Sequence, residues 1–337
     1  MRRLDAAVQI AHGGGGMLSR NLIRDEIVSR FGDGPLAGLP DAARVPVGRD
    51  DVIFTTDSYV VSPLEFPGGN IGSLAVHGTV NDVAVCGGRP LWLSLALILE
   101  EGLPFELLRR VLDTIRTAAD ACGVRVVTGD TKVVAHGQCD GLFINTAGLG
   151  EPIEGFKLGA GTIRPGDCVL ASGTLGDHGM AVLAARHGID ITAGPVSDTA
   201  PVHRLVAAAA PFAAGVRFMR DPTRGGPAAV LNEIVEEQAF GILLRESDLP
   251  FAAATQSAAE LLGLDLLNIA CEGRLLMVCA RNVHEEILAT WRRMPEGRQA
   301  CRIGEVNDRA GSVLLETVMS GRRLVDLPQG EVLPRIC

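Results

Sequence analysis

Helical and strand-like periodicities alternate along the first half of the sequence. Apolar residues recur every three or four positions in 105–121, which predicts a helix packed on a sheet. Two further helices are predicted at 18–27 and 73–85 from the same spacing. Continuous apolar or β-branched runs predict strands at 52–61, 91–99, 124–127 and 142–147. Helix and strand therefore alternate in a mixed first unit.

A Gly/Pro-rich interval at 151–166 interrupts this periodicity, which favours a domain boundary there. The elements predicted beyond it are strands at 167–172, 275–279 and 313–317 and helices at 179–186 and 227–237. The Pro/Gly-punctuated end of the chain reads as a tail with no core to join. We predict an α+β protein divided into a glycine-loop segment 1–44, domains 45–155 and 156–320, and a tail 321–337.

Length and composition fit two soluble domains. The 337 residues exceed the ~150 typical of one domain. The net charge of −9, without any Lys/Arg cluster, argues against a nucleic-acid partner. No apolar run approaches the ~20 residues that span a bilayer, and no apolar signal core follows Met1, so we expect a cytoplasmic protein. Eight cysteines without a C-x-x-C pair are expected to be reduced thiols.

Aspartates at predicted turns are the main candidates for chemistry. Asp50 and Asp51 precede the strand-like run 52–54, Asp57 follows that run, and Asp130 ends another predicted strand. Asp82 interrupts an apolar helical stretch, where an unpaired charge is costly. Each aspartate taken singly is as well explained by a turn or cap. Because Mg²⁺ takes one or two carboxylates together with substrate phosphates, the set as a whole predicts metal-nucleotide chemistry.

Two glycine-rich segments are candidate phosphate sites. The run 12–16 would let backbone N–H groups approach an anion, although it matches neither common nucleotide-binding signature. In the segment 221–226, Thr223 is predicted to cap a helix beginning near Pro227, whose N-terminus would face phosphate; a plain capped helix is the alternative. Lys132 either neutralises phosphate or activates a reacting group, and an isolated surface lysine is the alternative.

Ten short motifs carry a family resemblance over nearly the whole chain. In order they are HGGGG, TTDSYVVSPLEFPGGNIG, NDVAVCGG, ILEEGLP, TGDTKVV, INTAG, SGTLGDHG, RDPTRGG, CEGRLLMV and the final PRIC. Together they resemble the HypE family of hydrogenase maturation proteins. The aspartate motifs are shared with a wider superfamily that includes aminoimidazole ribonucleotide synthetase, selenophosphate synthetase and thiamine-phosphate kinase, whereas PRIC is the specific part.

The resemblance implies a two-domain aminoimidazole ribonucleotide synthetase-like fold, whose first-domain sheet pairs across a homodimer into a barrel, with ATP bound between the domains. It also implies a flexible tail ending in a reactive Cys337. The implied reaction is the ATP-dependent dehydration of an S-carbamoyl group on Cys337 to a thiocyanate, which supplies cyanide ligands for the iron of [NiFe] hydrogenase. The implied partners are a carbamoyltransferase, HypF, and an iron-carrying HypC–HypD complex.

The resemblance also assigns roles to residues. Catalysis is implied for Cys337, Lys132 and Glu272. Contact with ATP is implied for His12, Gly13, Gly14, Asp57, Asp82, Asp130, Thr131, Arg224 and Gly225. Mg²⁺ ligation is implied for Asp50, Asp51, Asp57, Asp82, Asp130 and Asp221.

The sequence departs from the family pattern at two places, and two alternative functions are considered. The glycine loop lacks an expected Ser or Ala, and Cys271 replaces an expected Asn, which removes an amide that could orient Glu272. One rival is a selenophosphate synthetase-like enzyme, which is disfavoured because the first cysteine, Cys86, lies far from the glycine loop. The other is a non-catalytic carrier that uses Cys337 as a ligand and needs neither the aspartate loops nor ATP turnover.

Overall fold

The computed structural model describes residues 17–22, 24–25, 42–47, 50–188, 194–327 and 335–337. Within these residues the chain is built on two mixed sheets, so the α+β prediction is confirmed. The candidates in the glycine loop, His12, Gly13 and Gly14, lie outside the described residues. No helix in the described part of the chain is long and apolar enough to cross a membrane.

The first half of the chain forms a five-stranded sheet with helices on it. The strands of this half, five in the sheet and two in a separate ribbon, are β1 (Ala43–Val47), β2 (Asp50–Tyr59), β3 (Glu65–Phe66), β4 (Gly69–Asn70), β5 (Gly88–Glu100), β6 (Arg125–Val134) and β7 (Leu142–Pro152). Its helices are α1 (Met17–Leu22), α2 (Ile71–Val85) and α3 (Phe105–Cys122). The order in the sheet is β1-β2-β7-β5-β6, with β5 and β6 parallel and the other pairs antiparallel. Strands β3 and β4 pair separately in a short ribbon.

Helix α2 is buried on nearly every face. It starts after Asn70, whose side chain accepts hydrogen bonds from the main-chain N–H groups of Gly72 and Ser73. It contacts β2, β5 and β7 on one side and α3 on another. A helix buried all round must be apolar all round, as this one is apart from a few polar positions. The polar positions of α2 therefore call for a functional explanation.

One predicted strand is longer than its sequence pattern suggested. The apolar run predicts a strand that ends at Val127, with Asp130 beyond it, but β6 continues to Val134 and Asp130 lies within it. The polar residues of this stretch are held in strand conformation by parallel pairing with β5, where Asp130 lies opposite Ala96. Tertiary pairing here overrides the local pattern.

The second half forms a seven-stranded sheet. Its strands are β8 (Cys168–Ala171), β9 (Val216–Arg220), β10 (Gly241–Arg245), β11 (Leu276–Cys279), β12 (Cys301–Asn307), β13 (Val313–Glu316) and β14 (Arg322–Leu324). Its helices are α4 (Asp177–Arg186), α5 (His203–Ala209), α6 (Gly226–Val235), α7 (Ala253–Leu262) and α8 (His284–Trp291). The strand order is β14-β13-β10-β12-β8-β11-β9.

The two faces of this sheet bury different neighbours. Val169 and Ala171 of β8 point to a cluster that includes α6, whereas Cys168 and Leu170 point to a cluster with α5 and α8. The second cluster also contains Ala84 and Val85 from the end of α2. A single core therefore joins the two halves, and it fixes α2 against the second sheet.

The end of the chain is docked rather than detached. Ile336 is buried in the core of the first half, together with residues of α2, α3 and α4, and Cys337 packs at its border. The prediction that the tail joins no core is therefore wrong for its last residues. The apolar side chain of Ile336 supplies the physical reason, because burying it stabilises the docked position.

Candidate active site

Glu272 lies at the centre of a group of charged side chains between the two halves of the chain. Its side chain is buried, with 2% of the residue exposed. Its main-chain N–H donates to Asp198 Oδ1 at 2.9 Å, and its carbonyl accepts from Asn81 Nδ2 at 3.2 Å. Asn81 belongs to α2, so a polar position on the buried helix fixes the backbone at Glu272. Both contacts hold the main chain of Glu272 and leave open the side-chain effect expected from Cys271 in place of Asn.

Burial raises the pKa of Glu272 well above its usual value, and the negative charges of Asp221, Asp57 and Asp198 raise it further, against a smaller opposing effect of Arg224. Its Oε1 atom has no hydrogen-bond partner among the described residues. A buried carboxyl oxygen without a partner is costly unless another molecule supplies one. Glu272 is therefore a candidate proton acceptor facing a place where a substrate can bind.

Asp57 and Asp82 approach this group from the first sheet and from α2. Asp82 accepts a hydrogen bond from Thr55 Oγ1 at 2.9 Å, and Asp57 Oδ1 accepts one from the N–H of Ser58 at 2.7 Å. Tyr59 is near both carboxylates. Burial raises the pKa of the Tyr59 phenol, and the charges of Asp57 and Asp82 add to the effect. Asp57 and Asp82 are therefore both close enough to Tyr59 to influence its ionisation.

The loop 221–226 brings Arg224 to the same place. It is held by a hydrogen bond from the N–H of Cys271 to the carbonyl of Pro222, at 2.9 Å. Gly225 and Gly226 both have positive φ, and a Cβ on Gly226 would lie 2.6 Å from the carbonyl oxygen of Ile269. Glycine is therefore required for the close approach of this loop to 267–272.

Arg224 is the positive charge of the site. Its pKa is raised, with the largest contribution from the neighbouring Cys337 and smaller ones from Asp57 and Glu272, while burial opposes the rise. Its side chain remains accessible to solvent. The sequence predicted Thr223 as the helix cap, but Gly225 occupies that position and no side chain caps α6. No side chain therefore occupies the N-terminus of α6, where a phosphate could bind.

The thiol of Cys337 reaches this cluster. Its side chain is half-buried and lies beside Glu272, close enough for the two groups to influence each other's ionisation. Burial raises the pKa of this thiol, Arg224 opposes the rise, and Glu272 and Asp57 add to it. The docked thiol is therefore held in its neutral form beside a carboxyl group and an arginine. Its exposure is lower than the sequence predicted.

A second, more buried network supports the site from behind. Asp198 lies 3.4 Å from Arg274 Nε, which also donates to the carbonyl of Thr174 at 2.8 Å. Burial raises the pKa of Asp198 to about 6, against the lowering effect of Arg274. Asp177 accepts hydrogen bonds from Thr174 and Thr255. The carboxylate that holds the Glu272 backbone is itself held by this network.

Some predicted site residues lie elsewhere in the single chain. Asp51 pairs with Arg44 at 2.6 Å at the start of β2, six residues from Asp57, which is about 20 Å along a strand. Asp50 precedes it in the same strand. The sequence analysis assigned these aspartates to one metal-nucleotide site, but in a single chain the length of β2 separates Asp50 and Asp51 from Asp57.

The candidates on β6 are also distant from Glu272. Asp130 and Lys132 form an exposed ion pair at 2.7 Å, and Thr131 lies exposed between them. Three strand spacings, roughly 14 Å, separate β6 from β2. Within one chain, Lys132 therefore matches the surface-lysine alternative.

Asp57 and Asp82 suit a metal ion whose coordination is completed by a nucleotide, rather than one held by protein ligands alone. Among the described residues, no three His, Cys, Asp or Glu side chains are arranged to hold a metal ion by themselves. Mg²⁺ needs only one or two carboxylates when nucleotide phosphates complete its coordination. Asp57 and Asp82 fit that requirement.

Sequence reasoning missed several residues of the site. Asn81, Tyr59 and Asp198 were not singled out, although the first two lie next to or near recognised aspartates. His178, in the motif SGTLGDHG, received no role. The available signal was a polar side chain within an apolar motif, which is weak until a structure shows its partner.

Two family models cover most of the chain. The N-terminal domain of AIR synthase related proteins matches residues 40–151, and the C-terminal domain matches residues 164–315. The chain is thus an AIR synthase related protein with both domains.

A narrower family emerges from individual relatives. The chain is 48% identical to carbamoyl dehydratase HypE of Rhodobacter capsulatus over 337 residues, covering 99% of each protein. It is similar to a chain in the crystal structure of a HypE–HypF complex, with TM-score 0.87, 41% identity, and 91% and 99% coverage of the two chains. It is also similar to HypE crystallised in complex with ATP, with TM-score 0.82, 42% identity, and 98% and 100% coverage. The chain therefore belongs to the carbamoyl dehydratase HypE family.

Proposed function

We propose that this chain is an ATP-dependent carbamoyl dehydratase of hydrogenase maturation, and that its substrate is an S-carbamoyl group on its own Cys337. The observation that carries the proposal is the contact between the Cys337 thiol and the buried Glu272, next to Arg224, Asp57 and Asp82. The relatives named carbamoyl dehydratase and the relative crystallised with ATP support the same reaction.

The proposed reaction starts from the carboxamide oxygen. That oxygen attacks the γ-phosphorus of ATP, and the bond from this phosphorus to ADP breaks. The carbon–oxygen bond then breaks while the nitrogen gives up its two protons, so the oxygen leaves as inorganic phosphate and a thiocyanate remains on sulfur. The carbon does not change oxidation state, so the reaction needs no oxidant or reductant.

Glu272 is the best-placed acceptor for one of these protons. Burial and neighbouring charges raise its pKa, so its carboxylate is a stronger base than an exposed glutamate. Its unpartnered Oε1 points to an available acceptor position. Because Glu272 contacts the thiol in the docked chain, a carbamoyl group on the same sulfur would lie beside it.

The nucleotide is proposed to bind between the halves of the chain. Asp57 and Asp82 would hold Mg²⁺, and Arg224 with the main-chain N–H of Gly225 would contact phosphate. Bound Mg²⁺ would supply neutralisation of phosphate charge. Roles for Asp221, on the Glu272 side, and for the glycine-loop residues His12, Gly13 and Gly14 remain proposals that follow from the family resemblance.

A homodimer is proposed through β6. This edge strand is exposed along almost its whole length, including Val127 at 61% and Val133 at 69%. Unpaired apolar edges are usually covered in native proteins. A second copy on this edge would complete a barrel with the first sheet. We propose that Asp130, Thr131 and Lys132 act at this interface, since they do not reach Glu272 within one chain.

The proposed reaction and the family resemblance together imply the partners. The thiol must leave its docked position to receive a carbamoyl group from a carbamoyltransferase, HypF, and we propose that the tail alternates between these positions. The similar HypE structure that contains HypF supports this partner. We further propose that the thiocyanate delivers cyanide to a HypC–HypD iron complex and that the protein acts in the cytoplasm.

Intact-mass measurement tests the proposal. After incubation with the carbamoyltransferase, carbamoyl phosphate and ATP, the peptide that contains Cys337 should gain one carbamoyl group and then lose one water. Cys337→Ala should gain nothing, and Glu272→Gln should gain the carbamoyl group but retain the water. ATP turnover without modification of Cys337 would favour the selenophosphate synthetase-like rival. Modification of Cys337 without any need for ATP would favour the carrier.

A further inference from the structure

Each of the last three residues, 335–337, accepts a hydrogen bond at its main-chain oxygen. The N–H of Val60 donates to the main-chain oxygen of Cys337 at 3.0 Å, and the N–H of Ser62 donates to that of Arg335 at 3.3 Å. Arg335 Nε donates in return to the carbonyl of Val60 at 3.1 Å. The tail thus lies along the segment that follows β2, and the remaining oxygen, that of Ile336, needs a donor from elsewhere.

His178 of α4 provides that donor. Its Nε2 lies 2.7 Å from the carbonyl oxygen of Ile336. A carbonyl oxygen only accepts hydrogen bonds, so Nε2 carries the proton. Nδ1 is then an acceptor, and Ser197 Oγ, 2.8 Å away, donates to it. Ser197 Oγ in turn accepts from the N–H of Thr199 at 3.1 Å. These hydrogen bonds assign the neutral tautomer of His178 that carries its proton on Nε2.

The surroundings keep the His178 ring in this state. The ring is fully buried, and the edge-to-face contact with Phe66 places the ring centroids 5.4 Å apart. Burial lowers the pKa of His178 to about 4, which keeps the imidazole neutral. A neutral, fixed imidazole presents a single N–H group to the tail. The hydrogen bonds of the His178 ring go to Ser197 and to the main chain of Ile336.

Arg186, two turns further along α4, contacts both the docked tail and the segment that follows β2. Its Nη2 donates to the carbonyl of Arg335 at 2.8 Å, and its Nε donates to the carbonyl of Ser62 at 3.0 Å. The guanidinium therefore bridges the tail and the segment that receives it. A planar guanidinium with two fixed donors suits such a bridge, whereas a lysine cannot make both contacts in the same geometry.

We propose that His178 and Arg186 form a latch on α4, which holds residues 335–337 in the docked position and sets how often the group on Cys337 reaches Glu272. Both are positioning residues, since neither contacts the sulfur. The consequence for dehydration rests on the proposed function, whereas the docking of the thiol does not. Loss of the His178 donor leaves the carbonyl of Ile336 buried without a partner, which shifts the docking equilibrium by about tenfold.

Thiol accessibility tests the latch without any assumption about the reaction. In the full-length protein, the rate of alkylation of Cys337 by iodoacetamide is measured by peptide mass spectrometry, with the half-buried Cys301 as an internal reference. His178→Leu and Arg186→Met should each raise the rate at Cys337 about tenfold and leave Cys301 unchanged. His178→Gln, which retains an N–H donor, should give a rate closer to the native one.

Matched controls come from the second half of the chain. His284 Nδ1 lies 2.7 Å from the carbonyl oxygen of Arg281, and Arg292 Nε donates to the carbonyl of Ala300 at 2.7 Å. Neither side chain hydrogen-bonds the tail. His284→Leu and Arg292→Met should therefore leave alkylation of Cys337 at the native rate. The latch is wrong if His178→Leu stays within about twofold of native protein, or if His178→Gln is as reactive as His178→Leu.

A second measurement separates docking from the reaction. Protein already carbamoylated on Cys337 is mixed with Mg-ATP, and the loss of water is followed in a single turnover. Latch variants should lose water about tenfold more slowly, while their carbamoylation by the partner enzyme proceeds at least as fast as in native protein. Misfolding would slow both steps. If native protein never accepts a carbamoyl group, the proposed function fails, and the alkylation rates still decide whether the latch exists.

Discussion

At the scale of single residues, Glu272 shows how a fold changes the chemistry of a side chain. The sequence marks it as a candidate through the motif CEGRLLMV, but no pattern in the sequence gives its ionisation. The structure buries the carboxyl next to Asp221 and Asp57, and burial is the larger cause of its raised pKa. The group is therefore stable in its protonated form in the empty site and becomes a strong base when ionised.

The pH dependence of stability tests this description. A carboxyl whose pKa is higher in the folded chain stabilises the fold fully below its unfolded pKa of about 4.3 and loses that contribution as the pH rises. Glu272→Gln removes the ionisation and keeps the shape. From pH 5 to pH 8, the variant should gain at least about 1.4 kcal/mol in unfolding free energy relative to native protein, the equivalent of one pKa unit. Urea denaturation measures this difference.

Glu285→Gln is the control for this experiment, because Glu285 is an exposed carboxylate on α8. Its stability should follow the native protein at both pH values. Parallel pH profiles for Glu272→Gln and native protein would show that Glu272 ionises in the folded chain as it does in the unfolded one.

The aspartates can be separated by their positions along β2 and α2. Asp82→Asn keeps an oxygen that can accept from Thr55 and removes a charge beside the proposed nucleotide site. Its affinity for Mg-ATP should fall at least about tenfold, or ~1.4 kcal/mol, in titration calorimetry, without loss of the folded state. Asp51→Asn should bind as native protein does, because Asp51 pairs with Arg44 at the other end of the strand. Equal losses in both variants would contradict this assignment.

The sequence predicts the positions of helices and strands better than the positions of individual site residues. Apolar periodicity placed α3 and β5 well, because burial on a sheet imposes a regular spacing on the chain. It could not show that Asp51 pairs with Arg44 at the start of β2, about 20 Å along the strand from Asp57, because a pairing partner is not visible in a local pattern. Nor could it find His178, whose role depends on Ser197 and Ile336, both distant in sequence. Contacts between distant residues carry information that local patterns lack.

At the scale of elements, α2 and β2 are packed closely through a glycine. A Cβ on Gly78 of α2 would overlap the hydroxyl of Tyr59 on β2, and the Tyr59 ring is fully buried. Tyr59 lies beside Asp57 and Asp82, so the same contact sets the spacing of the proposed site. Gly78 is required because Tyr59 leaves no room for a Cβ. In an unobstructed helix interior, alanine would be favoured over glycine by about 1 kcal/mol.

Gly78→Ala should therefore destabilise the protein despite its better helix propensity. The expected loss in unfolding free energy is about 1–3 kcal/mol, the range for overpacking a buried contact, and Mg-ATP binding should weaken with it. Urea denaturation and calorimetry measure the two effects. Gly161→Ala is the control, since nothing lies within 4 Å of the added Cβ, and it should leave both unchanged. A more stable Gly78→Ala protein would mean that α2 can move away from β2.

At the scale of the whole molecule, the chain divides its chemistry between a buried centre and an exposed edge. Glu272, Arg224 and the docked Cys337 meet between the two halves, while the ion pair of Lys132 with Asp130 lies on the outer strand of the first sheet. A monomer leaves these β6 residues without a role in the site. A dimer through β6 accounts both for the exposed valines and for the position of the charged pair.

This account predicts that the native chain is a dimer at micromolar concentration and that charges on β6 make it a monomer. Val127→Glu combined with Val133→Glu introduces like charges on both copies at the proposed contact, where burial would leave them unpaired. Light scattering should show half the native mass, with unchanged circular dichroism and strongly reduced ATP turnover. Leu261→Glu, at a residue 84% exposed on α7, should remain dimeric and active. A monomeric native protein with full turnover would remove β6 from the site and return Lys132 to the surface-lysine alternative.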